Sequence, residues 1–443
     1  IELEEIYRFE NGMDHKDGKL LWNVDRLFGE ILNGMKKCKE QGKIPVSMAI
    51  DTWAVDYVLL DEKDRILGDT YGYRDHRTDG MDAEVAKILP ETELYAKTGI
   101  QKQIFNTIYQ LMAEKQKEPE LLQRAETLLM LPDYFGFRLT GNKLSEYTNG
   151  STTQLVNPTT FQWDTDLIRK LGYPEDIFLP LQMPGTKVGQ LLPEIQKEVG
   201  FNLEVVLCGS HDTASAVMAV PQTEGDGIYI SSGTWSLMGI ESLKPVITED
   251  AAAANFTNEG GYDHRFRFLK NIMGLWMIQS VRHEYNDAYS FAQLCNMAEE
   301  SKEFPSRVDV NDQSFLSPDS MVEAIRQYCH KTGQPVPESV GELTSVVYRS
   351  LAQSYGETVR GLEKIAGKTY DSIHIIGGGS NAAYLNQLTA DATGKTVYAG
   401  PGEATAIGNL LAQMIHAGDL ADLKSARKCV RESFEIKTFA PAK

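Results

Sequence analysis

Asp212 is the carboxylate whose setting could most readily support catalysis. It follows the apolar run Val205–Cys208 through Gly209-Ser210-His211, where a small-residue helix begins. An Asp at that point can be a helix cap and nothing more. It can equally be a general base, held at a strand end beside amide donors that favour an incoming anion. His211 does not extend it to a Ser/His/Asp triad, because adjacent residues on a strand point apart.

Three further strings could bind rather than react. Ser231-Ser232-Gly233-Thr234 follows an apolar strand and offers N–H and O–H donors to a phosphate, or is a plain β-turn. Gly377-Gly378-Gly379-Ser380-Asn381-Ala382 fits G-x-G-x-x-A after a strand. Too little chain follows it to complete a dinucleotide domain. A tight turn and a flat platform for one nucleotide remain as readings. Asp51-Thr52-Trp53-Ala54-Val55-Asp56 mixes carboxylates with an aromatic, as sugar sites do, or is a strand-end turn with Trp53 in the core. Tyr73-Arg74-Asp75-His76-Arg77 reads as a solvated, salt-bridged face. The Gly-Lys-Thr strings at 367–369 and 394–396 carry Leu362 and Thr389 where a P-loop needs glycine, so each reads as a helix stop. The eight histidines show no metal-ligand spacing, and no metal-binding residue is expected.

The elements that must position these residues alternate along the chain. Leu27, Phe28, Ile31, Leu32 and Met35 recur at helical spacing within Leu20–Glu40, and Gly42 follows as a stop. Val46–Ile50 reads as a strand, and Tyr57–Leu60 as another, closed by a hairpin turn at Asp61–Asp64. Residues 79–137 read as mostly helical, broken near Gly99 and Pro119. Ser345–Ile365 reads as a long amphipathic helix before the strand Ser372–Ile376. The turn-rich stretch Pro221–Gly227 is the expected domain boundary. Ile1–Phe9 alternates as a strand does and begins without a turn, so upstream sequence is expected to precede it. Strand–glycine–helix units in both halves indicate an α/β protein of two similar lobes.

Composition narrows the function classes. The chain has 443 residues, with 44 Lys and Arg against 62 Asp and Glu, a net charge of −18. Such a balance disfavours nucleic acid as a partner, which needs a basic face. No apolar run is long enough to span a membrane. Five cysteines without a C-x-x-C pair read as reduced thiols of a cytoplasmic protein.

Many short strings, in order, resemble the FGGY family of carbohydrate kinases. They are Ile50–Asp56, Tyr73–Arg77, Gly99–Gln101 with Phe105–Thr107, Leu131–Tyr134, Glu146–Asn149, Ser151–Asn157, Ser210–Ser215, Ser231–Ser236, Asn258–Gly261, Leu269–Trp276 and Ile376–Gly379. The resemblance implies an α/β fold of two actin-like (ribonuclease-H-like) ATPase lobes around a central cleft. Residues 1–220 would form the lobe that binds sugar and carries the general base, and 226–443 the nucleotide lobe. It implies transfer of the γ-phosphoryl of ATP, with Mg²⁺, to the C1 hydroxyl of L-rhamnulose in rhamnose breakdown. Asp212 matches the general base. Ala54, His211, Asp212, Thr213 and Asn271 fall at sugar-binding positions; Thr234, Gln279 and Gly378 fall at ATP-binding positions. The partners implied are the sugar and ATP, with no nucleic acid or membrane, for a monomer or weak homo-oligomer. Kinase action on another ketose (fuculose or xylulose) and a non-catalytic sugar or nucleotide sensor are the alternatives. Two departures stand out. Ala54 replaces the usual glycine, and the Asp-x-Gly hairpin that organises phosphates and Mg²⁺ in the family would lie upstream of Ile1.

Overall fold

The computed structural model describes residues 1–223 and 226–442; Glu224 and Gly225, inside the expected boundary Pro221–Gly227, lie outside the described residues. The chain forms two compact units. One holds Ile1–Met218, Glu241–Phe268 and Ala406–Leu423; the other holds Ala219–Ile240, Leu269–Thr405 and Lys424–Lys443.

In the first unit, strand Tyr57–Leu60 lies between Ile66–Leu67 and Thr127–Met130, antiparallel to both. Its four apolar residues are all buried because both faces of this small sheet are covered. Val58 and Leu60 face a core with helix Val24–Glu40 and helix Leu131–Thr140, through Leu27, Phe28, Tyr134 and Phe135. Tyr57 and Leu59 face a second core with Ile108, Leu111 and Met112 of helix Thr107–Lys117. Asn23 caps the first of these helices by accepting from the Arg26 amide at 3.0 Å. A second sheet pairs Glu204–Val206 antiparallel with Lys187–Gln190 and parallel with Ser47–Met48.

Two expectations for this unit need correction. Thr127–Met130 is a strand within the stretch read as mostly helical. A four-residue run with three consecutive apolar residues carries no periodicity, and its pairing with Tyr57–Leu60 decides its state. Ile1–Phe9 forms no strand; the first regular structure is the hairpin Asp14–Lys16 with Lys19–Leu21. Alternation alone does not make a strand without an edge to pair with. In that hairpin Asp17 and Gly18 supply two consecutive positive φ angles, 51° and 77°, which suit a two-residue turn.

The second unit is built on the strand order Trp235–Ser242, Ile228–Ser232, Ser372–Ile376, Thr396–Ala399, Lys437–Phe439. Ile228–Ser232, Ser372–Ile376 and Thr396–Ala399 run parallel, and Trp235–Ser242 and Lys437–Phe439 run antiparallel to the strands next to them in this order, which forms part of a seven-stranded sheet. Helix Val340–Ala366 starts with a capping box of Ser339 and Glu342. It ends at Gly367, and helix Ala383–Thr393 ends at Gly394, both glycines left-handed. The two Gly-Lys-Thr strings are therefore helix stops.

Candidate active site

The sheet of the first unit continues past its strand ends and fixes Asp212. The Thr52 amide donates to the Ser210 carbonyl at 2.9 Å, and the Asp212 amide donates to the Thr52 carbonyl at 2.9 Å. From the other side the buried Glu146 carboxylate accepts from the Ser210 amide at 3.1 Å and the Ser210 hydroxyl at 2.5 Å. It also accepts from the amides of Thr148 and Asn149, at 2.7 and 3.0 Å. Burial raises the Glu146 carboxyl, and these hydrogen bonds offset part of that rise. Gly209 lets the chain pass close to helix Asp212–Met218, where a Cβ would sit 3.0 Å from the Ser215 amide nitrogen. The loop is thus held on both sides while the Asp212 side chain remains 45% exposed.

His211 is buried, and its Nε2 lies 3.4 Å from Asp212 Oδ1. Adjacent side chains were expected to point apart. They converge because the chain passes from extended to helical conformation between them. Behind the imidazole lies the fully buried Arg267, whose Nη2 is 3.0 Å from His211 Nδ1 and donates to Glu259 Oε2 at 3.1 Å. Its Nη1 donates to Thr213 Oγ1 at 2.7 Å and its Nε to the Gly260 carbonyl at 2.8 Å. His211, Asp212 and Thr213 therefore share one small hydrogen-bonded cluster.

The Asp51–Asp56 string splits into two roles. Asp56 Oδ2 accepts from the indoles of Trp22 and Trp53 at 2.7 and 2.8 Å and from the Tyr73 amide at 3.1 Å; Oδ1 accepts from Gln110 at 3.1 Å. Burial raises this carboxyl to about 6 against those donors, and the network leaves it a structural anchor. Asp51 accepts from Asn409 Nδ2 at 2.6 Å. Burial raises it to about 7, the Asn409 bond opposes that, and the charge of Asp212 adds to it. Ala54 lies in the bend between them, before Val55 at φ 68°. The Tyr73–Arg77 string is a solvated face only in part: His76 is exposed beside Asp79 at 3.2 Å, whereas Asp75 and Arg77 turn inward. The Arg77 guanidinium, 10% exposed, meets Glu114 at 2.5 Å and Gln110 at 2.7 Å and lies 3.9 Å from the Tyr71 ring centre. Charge density in sequence did not reveal that Arg77 turns inward to tie the helix Thr107–Lys117.

The expected nucleotide residues assemble within the second unit. Gly233 and Thr234 form the exposed tip of the hairpin joining Ile228–Ser232 to Trp235–Ser242. The amides of Leu275 and Trp276 donate to the Gly233 and Thr234 carbonyls at 3.0 and 3.1 Å. This close approach needs Gly274, since a Cβ there would lie 2.5 Å from the Trp235 carbonyl carbon. Helix Trp276–Glu284 then brings Gln279 Oε1 to 3.5 Å from the Thr234 hydroxyl. Gly377, at φ 82°, and Gly379 press against Ser232, while a Cβ on Gly378 would meet nothing within 4 Å. The triple glycine is a tight packing turn with its middle residue open. Asn271 stands on Phe266–Met273 in the second unit, and its Oδ1 is buried without a hydrogen-bond partner. Among the described residues no three His, Cys, Asp or Glu side chains converge on a metal position.

Sequence reasoning assigned no role to Glu146, Glu259, Arg267 or Asn409. Glu146 and Glu259 lay in visible strings; Arg267 and Asn409 lay in none, and only folding carries them to residues 51 and 211.

The profile of the FGGY family of carbohydrate kinases, N-terminal domain, matches residues 7–219, and that of the C-terminal domain matches 228–417. The rhamnulokinase of Halalkalibacterium halodurans is 52% identical over 442 residues, covering 100% of this chain and 94% of that protein. The rhamnulokinase of Bacillus subtilis is 46% identical over 442 residues, covering 100% and 90%. Among solved structures, a ligand-bound xylulose kinase from Lactobacillus acidophilus superposes with a TM-score of 0.79 at 16% identity, over 98% of this chain and 87% of that one. Plasmodium falciparum glycerol kinase with ADP gives 0.75 at 15%, over 97% and 88%. At those identities the likeness concerns fold alone, and the fold is the two-domain actin-like ATPase fold.

Proposed function

The chain belongs to the FGGY family of carbohydrate kinases, and from that premise we propose that it transfers the γ-phosphoryl group of ATP to the C1 hydroxyl of L-rhamnulose. It is an ATP-dependent sugar kinase. Asp212 is the general base that takes the proton from the attacking hydroxyl. The observation that carries this reading is its placement: a half-exposed carboxylate on a loop whose backbone is tied to Thr52 and Glu146. Catalysis of phosphoryl transfer is mostly positioning and charge stabilisation, so a base on a held backbone meets its main requirement.

His211 and Thr213, hydrogen-bonded beside Asp212, hold the sugar with Ala54 on the first unit, and Asn271 is assigned to sugar binding from the second. The methyl group of Ala54 trims the space open to the sugar. Thr234, Gln279 and Gly378 hold ATP, with the open face of Gly378 taking the nucleoside. The substrate is Mg-ATP, in which the cation would supply charge neutralisation to the phosphates during transfer. The expected split into 1–220 and 226–443 is corrected by the compact units: the sugar-side lobe of this cytoplasmic enzyme is the unit that also takes in 241–268 and 406–423, and the nucleotide-side lobe is the other.

A coupled ADP-release assay with Mg-ATP and a panel of L-rhamnulose, L-fuculose and D-xylulose tests this. ADP release with the highest kcat/KM on L-rhamnulose is expected. Preference for another ketose moves the substrate assignment, and sugar binding without turnover supports a sensor.

A further inference from the structure

Glu259 and Arg267 have no part in the reading above, yet both are buried charged groups in direct contact with His211. Arg267 is fully buried and Glu259 nearly so. A guanidinium has donors only, so the His211 nitrogen 3.0 Å from Arg267 Nη2 must bring a lone pair. A neutral imidazole that accepts at Nδ1 carries its proton on Nε2. That nitrogen lies 3.1 Å from Thr213 Oγ1 and 3.4 Å from Asp212 Oδ1.

Glu259 Oε2, at 3.4 Å from the same Nδ1, would favour the opposite tautomer if its charge were unmet. It is met: the same oxygen accepts from Arg267 Nη2 at 3.1 Å. Burial alone would raise the Glu259 carboxyl, but the Arg267 guanidinium beside it holds it below the usual carboxylate range. Bonds from Nε to the Gly260 carbonyl and from Nη1 to Thr213 Oγ1 keep the guanidinium from turning away.

We propose that Arg267 is a positioning residue that fixes His211 as the neutral Nε2–H tautomer, with that N–H turned toward Asp212 and the sugar hydroxyl bound beside it. The sugar half of this statement rests on the function proposed above. Glu259 serves as the counter-charge that lets a guanidinium stay buried there.

The test is the ring tautomer of His211, read from long-range ¹H–¹⁵N correlations of the full chain labelled with ¹⁵N-histidine at pH 8. Among eight histidines the signals are assigned by their loss in His211→Gln. An Nε2–H ring is expected in the wild type. Arg267→Lys, which removes the fork, should let the ring leave that tautomer. It should also lower kcat/KM for L-rhamnulose roughly tenfold with the ATP KM unchanged. A wild-type ring with its proton on Nδ1, or doubly protonated, overturns the proposal. So does an Arg267→Lys ring that stays Nε2–H with wild-type kinetics. If Arg267→Lys fails to fold, the wild-type spectrum decides alone. The spectrum needs no turnover, so an Nε2–H ring in a chain that does not phosphorylate L-rhamnulose contradicts the function and leaves the role of Arg267 standing.

Discussion

Asp51 and Asp212 flank Thr52 through one backbone pairing, and their surroundings set them apart. Asp212 is half exposed, whereas Asp51 is held by Asn409 and raised to about 7, chiefly by burial. A folded-state pKa above the unfolded value of roughly 4 means the folded state holds the proton more tightly. The stability it contributes is present below about pH 4 and is lost as pH rises through about 7. Asp51→Asn should remove that loss. Urea denaturation at pH 5 and pH 8 is expected to show a smaller fall in stability for the variant than for the wild type. Equal falls would mean that Asp51 does not hold the raised pKa. Asp212 was legible as a candidate because its strand-to-helix position is a local pattern. The character of Asp51 was not, because it depends on Asn409, which is 358 positions away in sequence.

Helices and turns show the same division. The stops at Gly367 and Gly394 and the long helix Val340–Ala366 were legible, since caps and periodicity are local. Strand Thr127–Met130 was not, since partner strands decide it. The packing of Ala404–Ala417 on the helix that starts at Asp212 is also a tertiary fact: a Cβ at Gly408 would lie 1.7 Å from the Ser215 carbonyl oxygen. Gly408→Ala must push the two helices apart, at a cost of about 1–3 kcal/mol. Denaturation should show that loss, and kcat should fall with it as Asp212 shifts; a variant of wild-type stability would contradict the packing. Gly378→Ala is the opposite case, because its Cβ enters open space. Its stability should stay within about 0.5 kcal/mol of wild type. Its ATP KM should rise, and an unchanged KM would remove Gly378 from the nucleotide site.

At the scale of the molecule, family and order of elements were legible because short strings recur in sequence along nearly the whole chain. The profile matches over 7–219 and 228–417 cover the same span. What was not legible is how the compact units recruit their parts. Residues 241–268 and 406–423 pack with the N-terminal half, bringing Glu259, Arg267 and Asn409 to the loops that carry His211 and Asp51. No local pattern announces a contact between residues 211 and 267. Among the described residues no helix is long and apolar enough to cross a membrane.

The central claim is that a sugar kinase uses Asp212 as its base, and it is tested most directly by comparing Asp212→Asn with the wild type in Mg-ATP-dependent phosphorylation of L-rhamnulose. Loss of a general base predicts a fall in kcat of roughly 10²–10⁴-fold, with ATP affinity by calorimetry unchanged. Turnover by Asp212→Asn within a few-fold of the wild type would contradict the account.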